Sequence, residues 1–81
     1  MEILRFTAKW CNPCKGLAAT LENVTLPCPV TVIDVDDNPE LAEKHMVRSV
    51  PMLIAIEDSE VISVLHGVKT QQQLQSWADS L

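Results

Sequence analysis

Long apolar segments are missing from this chain of 81 residues. A membrane-spanning helix needs about 20 consecutive apolar residues, and no run approaches that length, so we expect no membrane segment. Basic stripes are missing as well. The six lysines and arginines are scattered singly among 11 acidic residues, which gives a net charge of −5. This balance argues against nucleic acid as a partner.

The sequence also shows no targeting segment and no repeat. Residues 1–5 lack a basic segment followed by an apolar one, which is the mark of a secretory signal, so we expect a cytoplasmic protein. Neither an internal repeat nor a low-complexity linker is found, and the length predicts a single domain over residues 1–81. A hydrophobic fraction of 47% is enough for one core, although so small a domain buries only about 60–65% of its unfolded surface.

The sequence also lacks two clusters of metal ligands. A zinc site needs four ligands, usually from two clusters, whereas Cys11 and Cys14 form the only pair. Cys28, His45 and His66 are irregularly spaced, so we expect no metal. Cys28, between two prolines, reads as a bystander, with a regulatory thiol as the alternative. His45, at the end of a helix, reads as structural. For His66, at a strand end near the expected groove, proton transfer is an alternative to a structural role. In a cytoplasmic chain such cysteines indicate catalysis or metal binding rather than a structural framework.

Residues 10–15, Trp-Cys-Asn-Pro-Cys-Lys, carry the clearest chemistry. One helical turn brings Cys11 and Cys14 to the same side, with Cα atoms about 5 Å apart, which a disulfide can span. Pro13 suits the first turn of a helix. Free N–H groups and the dipole at the helix start would lower the pKa of a Cys11 thiol below about 8.5. We interpret the two cysteines as a redox pair; a permanent disulfide or half of a zinc site is the alternative.

Hydrophobic patterning predicts four strands and three helices. The strands are expected at residues 3–6, 30–35, 52–56 and 61–66. The helices are expected from Cys14 through Val24, at residues 39–45, and after Thr70. The last helix has one apolar face, formed by Leu74, Trp77, Ala78 and Leu81. The order β-α-β-α-β-β-α predicts an α/β fold with a mixed four-stranded sheet. Its first two strands are parallel and its last two form an antiparallel hairpin. Because all strands look apolar, including the β-branched run 30–35 read as buried, helices should cover both faces.

At this point the sequence resembles the thioredoxin family. The resemblance rests on residues 10–15, on residues 36–42 (Asp-Asp-Asn-Pro-Glu-Leu-Ala), on residues 47–51 (Val-Arg-Ser-Val-Pro) and on Gly67. Their order and spacing match the family across nearly the whole chain. The resemblance implies a minimal thioredoxin-like fold and a thiol–disulfide oxidoreductase that reduces protein disulfides and donates electrons to partner proteins.

The resemblance also implies roles for individual residues. Cys11 matches the exposed attacking cysteine and Cys14 the buried resolving one, so the redox disulfide is Cys11–Cys14 and no other cofactor is expected. Pro51 matches a cis-proline that faces the disulfide, and Val50 would offer backbone hydrogen bonds to an extended substrate. The remaining substrate-binding positions are Trp10, which would shield one side, Pro13, and Gly67, which would keep the groove open.

Partners follow from the same resemblance. We expect disulfide-containing proteins as substrates, a thioredoxin reductase or an equivalent reductant for recycling, and a monomer. Ribonucleotide reductase is a candidate partner, because the chain has the size of a glutaredoxin or of the small redoxins that supply that enzyme. Glutathione-binding signatures are not evident, however. A thioredoxin-fold binding module without turnover is the remaining alternative.

The chain departs from the family pattern at several places. We expect no counterpart of the family's usual extra N-terminal strand and helix in residues 1–81. Arg5 stands where thioredoxins have a buried aspartate that assists proton transfer from the second cysteine, and Val32 replaces a lysine beside it. Asn12 and Ala19 replace a glycine and a kinking proline.

Arg5 cannot accept a proton, because a guanidinium stays charged at working pH. Strand alternation puts Arg5 on the face of Ile3 and opposite Phe6. We expect its charge either to stabilise a Cys14 thiolate or to have become exposed to solvent.

Overall fold

Four strands and three helices follow one another in the predicted order. The computed structural model describes residues 1–81, with β1 (Glu2–Thr7), α1 (Asn12–Leu21), β2 (Val30–Asp34), α2 (Pro39–Lys44), β3 (Met52–Glu57), β4 (Glu60–His66) and α3 (Gln71–Asp79). The predicted order β-α-β-α-β-β-α is therefore confirmed. None of the helices has the length and apolarity that crossing a bilayer requires.

The strands form one mixed sheet in the order β2-β1-β3-β4. β1 and β2 are parallel, β1 and β3 are antiparallel, and β3 and β4 form the predicted antiparallel hairpin. The hairpin turns at Asp58 and Ser59, whose φ angles of 51° and 68° are those of a two-residue turn that matches the twist of the strands. The predicted parallel and antiparallel pairs are thus confirmed.

Two apolar clusters lie on opposite faces of the sheet. One is built from β1, β3, α1 and α3, and its buried members are Ile3, Leu17, Leu53, Ala55 and Leu74. The other is built from β1, β2 and β3, and its buried members are Leu4, Phe6, Ile33, Met52 and Ile54. The ring of Phe6 lies 5.8 Å from that of His45, at the end of α2. Helices therefore cover both faces, as the sequence predicted.

The prediction that residues 30–35 form a buried strand was wrong. β2 is an edge strand in which only Ile33 is buried, and Val32 is 55% exposed. A β-branched run favours a strand but does not say whether the strand has one neighbour or two. Cover on the α2 face is also incomplete, because Val61 and Val64 of β4 are exposed. Within α2, Ala42 is buried as expected, whereas Leu41 is exposed.

Helix α3 begins and is held in place through polar side chains. Thr70 Oγ1 accepts the N–H of Gln73 at 3.1 Å, and Gln73 Oε1 accepts the N–H of Thr70 at 2.9 Å, which is the predicted capping box. Farther along, Gln75 Oε1 accepts the Thr25 N–H at 2.9 Å and Gln75 Nε2 donates to the Thr25 carbonyl at 3.0 Å. One amide therefore satisfies both backbone groups of a loop residue between α1 and β2.

Replacement of Gln75 should loosen this loop. Gln75→Ala removes two side chain–backbone hydrogen bonds, each worth about 0.5–1.5 kcal/mol. We expect the free energy of unfolding in urea to fall by about 1 kcal/mol, because the site is partly exposed. The exposed Gln72 of the same helix supplies the control, since Gln72→Ala should change stability by less than about 0.5 kcal/mol. Equal losses in the two variants would contradict a specific role for the Gln75 amide.

Candidate active site

The sulfur of Cys11 caps the start of helix α1. Cys11 occupies the N-cap position with extended φ and ψ, and its Sγ accepts the N–H of Cys14 at 3.2 Å. The sulfur thus takes the place of the side-chain oxygen that usually satisfies a free N–H at a helix start. Pro13 lies in the first turn, as predicted. Cys11 and Cys14 are joined in a disulfide with their Cα atoms 5.3 Å apart.

Both cysteines are buried. Cys11 is 4% exposed and Cys14 is 1% exposed, and they form a small apolar cluster with Ala8, flanked by Val35 and Val50. The resemblance implied an exposed Cys11, yet Cys11 is only slightly more accessible than Cys14. Little of the Cys11 side chain is therefore accessible to a substrate in the disulfide form.

The segment before β3 faces the disulfide. The Val50–Pro51 peptide bond is cis, as the resemblance implied, and Pro51 is buried. The carbonyl oxygen of Val50 lies 3.7 Å from Cys11 Sγ. The carbonyl of Pro51 points the other way and accepts the N–H of Gly67 at 3.0 Å.

Gly67 has a backbone conformation that favours glycine, and no neighbouring atom crowds the position of a side chain. Its φ is +76°, and a Cβ built on it would meet no heavy atom within 4 Å. A left-handed φ favours glycine, whereas crowding of the groove does not demand it. The expectation that Gly67 keeps the groove open for a substrate stays a prediction.

Trp10, directly before Cys11, is exposed but makes one polar contact. Its side chain is 68% exposed, but its Nε1–H donates to Asp36 Oδ2 at 2.9 Å. Beside it lies a mostly apolar cavity of about 100 Å³. The cavity is lined by Trp10, Val35, Val47, Arg48, Ser49 and Val50. Sequence reasoning assigned no role to Asp36, although it lies within the stretch 36–42 that carries the resemblance.

A second cavity is lined by Cys14 itself and by several charged residues. Its volume is about 240 Å³, and it is lined by Arg5, Thr7, Ala8, Lys9, Cys14, Lys15, Ala18 and Asp34. Burial lowers the pKa of Arg5 from its ordinary value, because desolvation disfavours the charged form. The only ion pair in the chain joins Lys9 to Asp37 at 3.8 Å, and both side chains are exposed.

The remaining candidate residues lie apart from the disulfide. Cys28 is a free, half-buried thiol that packs against the Ile3 cluster. His45 packs against Phe6 on the opposite face, and His66 is exposed at the end of β4. No group of three or more histidine, cysteine or acidic side chains is placed to hold a metal ion.

Comparisons with known proteins agree with this geometry. The thioredoxin family model matches residues 1–80. A thioredoxin of Buchnera aphidicola is 35% identical over 93% of this chain and 72% of its own length, and the thioredoxin of Bacillus subtilis is 39% identical over 86% and 71%. Among solved structures, a mutant thioredoxin from Halobacterium salinarum superposes with a TM-score of 0.87 at 32% identity, covering 98% of this chain and 72% of that one.

The contact between Trp10 and Asp36 predicts how freely the indole moves. In a Trp77→Phe background, so that Trp10 is the only tryptophan, Asp36→Ala should lower the fluorescence anisotropy of Trp10, because the ring loses its single hydrogen bond. The substitution Glu60→Ala removes an exposed carboxylate at the start of β4 and should leave the anisotropy unchanged. If both substitutions lower it equally, the Asp36 contact does not hold the ring.

Proposed function

The chain belongs to the thioredoxin family and is a thiol–disulfide oxidoreductase that reduces protein disulfides, and we propose that Cys11 is its nucleophile and Cys14 its resolving cysteine. The observation that carries this assignment is the hydrogen bond from the Cys14 N–H to Cys11 Sγ. Of the two sulfurs, only that of Cys11 accepts a free N–H at the positive end of the helix. Such a position stabilises a thiolate.

The proposed reaction has two thiol–disulfide exchanges. The Cys11 thiolate attacks one sulfur of a substrate disulfide, so that a mixed disulfide forms and the first substrate thiolate leaves. Cys14, as a thiolate, then attacks Cys11 Sγ, which closes the intramolecular disulfide and expels the second substrate thiolate. Two electrons pass to the substrate, and an external reductant must return them to the Cys11–Cys14 pair.

The substrate-binding surface that we propose surrounds the Cys11 sulfur. Trp10 and Pro13 are exposed on one side of it, and Val50 and Pro51 lie on the other. The Val50 backbone would pair with an extended substrate segment next to its cysteine, in the manner of an added β-strand. We retain Gly67 in this surface because it hydrogen-bonds to Pro51, which ties its position to the groove.

The partners we propose are those that the chemistry requires. Substrates are proteins with an accessible disulfide, and the reductant is a thioredoxin reductase or an equivalent donor, with ribonucleotide reductase as one candidate acceptor of electrons. Both exchanges use only the two sulfurs, so we propose that residues 1–81 act as a single domain and a monomer without a metal or other cofactor. The reducing cytoplasm is the compartment in which such a donor would work.

Reduction of insulin by catalytic amounts of the protein tests this function. With dithiothreitol as the recycling reductant, the wild-type protein should accelerate precipitation of the insulin B chain well above dithiothreitol alone. A double variant, Cys11→Ser with Cys14→Ser, is the matched control and should show the background rate. If the wild-type protein also showed only the background rate, a binding module without turnover would replace the proposed function.

The assignment of the two cysteines predicts opposite outcomes for their single replacements. In a Cys28→Ser background, Cys11→Ser should abolish rapid alkylation by iodoacetamide at neutral pH, because the capped thiolate is gone and the remaining Cys14 sulfur, only 1% exposed, is shielded from the reagent. Cys14→Ser should keep rapid alkylation and accumulate mixed disulfides, because no second sulfur can release the substrate. Mass spectrometry of the adducts measures both. Loss of alkylation in Cys14→Ser instead would reverse the assignment.

A further inference from the structure

We propose that Arg5 stabilises the thiolate of Cys14 across the cavity that they share, so that the resolving step releases the Cys14 proton to solvent rather than to a carboxylate of the protein. This inference rests on the proposed role of Cys14 as the resolving cysteine. It makes Arg5 a positioning residue that acts through Cys14 and does not itself touch the substrate.

The placement of Arg5 follows from the alternation of β1. Ile3 is fully buried under α1 and α3, whereas Leu4 and Phe6 are buried on the opposite face. Because alternate residues of a strand share a face, Arg5 lies on the side of Ile3 and helix α1. Cys14, in the first turn of α1, and Arg5 accordingly line the same cavity of about 240 Å³.

The charge of Arg5 is not neutralised by a partner. Its guanidinium makes no ion pair, since the single ion pair of the chain is elsewhere. No buried side-chain nitrogen or oxygen lacks a hydrogen bond, so the unpaired guanidinium is reached by solvent through the cavity. Burial lowers the pKa of Arg5, but a guanidinium is not deprotonated in proteins. A permanent positive charge therefore faces the space beside Cys14.

Three other charged groups line this cavity and contribute to its net charge. Lys9 and Lys15 are exposed cations, and Asp34 is the only carboxylate. Asp34 Oδ1 accepts the N–H groups of Asp36 at 2.9 Å and of Asp37 at 3.4 Å, which ties it to the turn after β2. Lys9 is paired with Asp37, so Arg5 and Lys15 are the unpaired cations beside one carboxylate. This excess of positive charge favours a thiolate at Cys14.

Asp34 is nevertheless the rival to solvent as proton acceptor, because it is the one carboxylate beside Cys14. In the resolving step, Cys14 must lose its S–H proton so that its sulfur can attack Cys11 Sγ. The new Cys14–Cys11 bond forms as the bond between Cys11 Sγ and the substrate sulfur breaks. A stabilised thiolate has already given its proton to water. A neutral Cys14 thiol would need Asp34 or another base during the step itself.

Titration of Cys14 as the only thiol tests the inference. In a Cys11→Ser and Cys28→Ser background, ultraviolet absorbance of the thiolate gives the Cys14 pKa. Arg5→Gln should raise that pKa by about one unit, as expected for loss of a nearby opposite charge. Arg5→Lys should restore most of the difference, and added salt should shrink it. Lys44→Gln, which removes an exposed cation from α2 on the other face, is the matched control and should leave the pKa unchanged.

The intact dithiol supplies a second measurement that a purely structural role would not move. In glutathione buffers, Arg5→Gln should give a more negative reduction potential, because the reduced form loses stabilisation. The rate of the second exchange can be followed by single-turnover mixing with a substrate disulfide. Its pH dependence should move to higher pH in Arg5→Gln and should stay as in the wild-type protein in Asp34→Asn. An unchanged Cys14 pKa in Arg5→Gln, or a second exchange that slows in Asp34→Asn at every pH, would overturn the inference.

These outcomes are separable from those for the proposed function. If wild-type protein reduces insulin while Arg5→Gln leaves the Cys14 pKa and the potential unchanged, the function stands and the role of Arg5 is wrong. If wild-type protein fails to reduce insulin, the proposed function is wrong whatever the titration of Cys14 shows.

Discussion

The register between the two central strands determines where every part of the active site lies. β1 and β3 are antiparallel, with Phe6 opposite Met52. The last residues of β1 and the first residues of β3 therefore lie side by side at the same end of the sheet. The loop after β1 carries Cys11, and the segment before β3 carries Pro51. Both strands are buried on both faces, and a slip of one residue would turn the apolar side chains of each strand to the wrong face. Core packing thus fixes the distance between the disulfide and Val50.

Two cavities with different lining residues lie near the disulfide on this framework. The one beside Trp10 is mostly apolar, and the one beside Arg5 is lined by three cations and one carboxylate. A reductase must accept a polypeptide at one sulfur and dispose of a proton at the other. Cys14, one helical turn after Cys11, lines the cavity beside Arg5, whereas Cys11 lines neither of the two.

Local patterns predicted the elements and the disulfide well, but they could not supply properties that depend on neighbours distant in sequence. The periodicity of Leu74 and Trp77 and the capping residue Thr70 are local, so α3 was predicted almost to the residue. The exposure of β2 depends on sheet order, which a β-branched run does not encode. The burial of Cys11 and the contact between Trp10 and Asp36, 26 residues apart, arise only when separate segments come together.

The outer edge of β2 has a consequence for how copies of the chain behave when crowded together. Its free backbone groups can pair with any extended segment, and the exposed Val32 adds an apolar contact. Acidic side chains lie nearby, since Glu2 hydrogen-bonds to Thr31 at 2.9 Å, and the chain as a whole carries a net charge of −5. Mutual repulsion therefore opposes edge-to-edge pairing of copies, and ionic strength sets the concentration at which the sheet can extend from one molecule into the next.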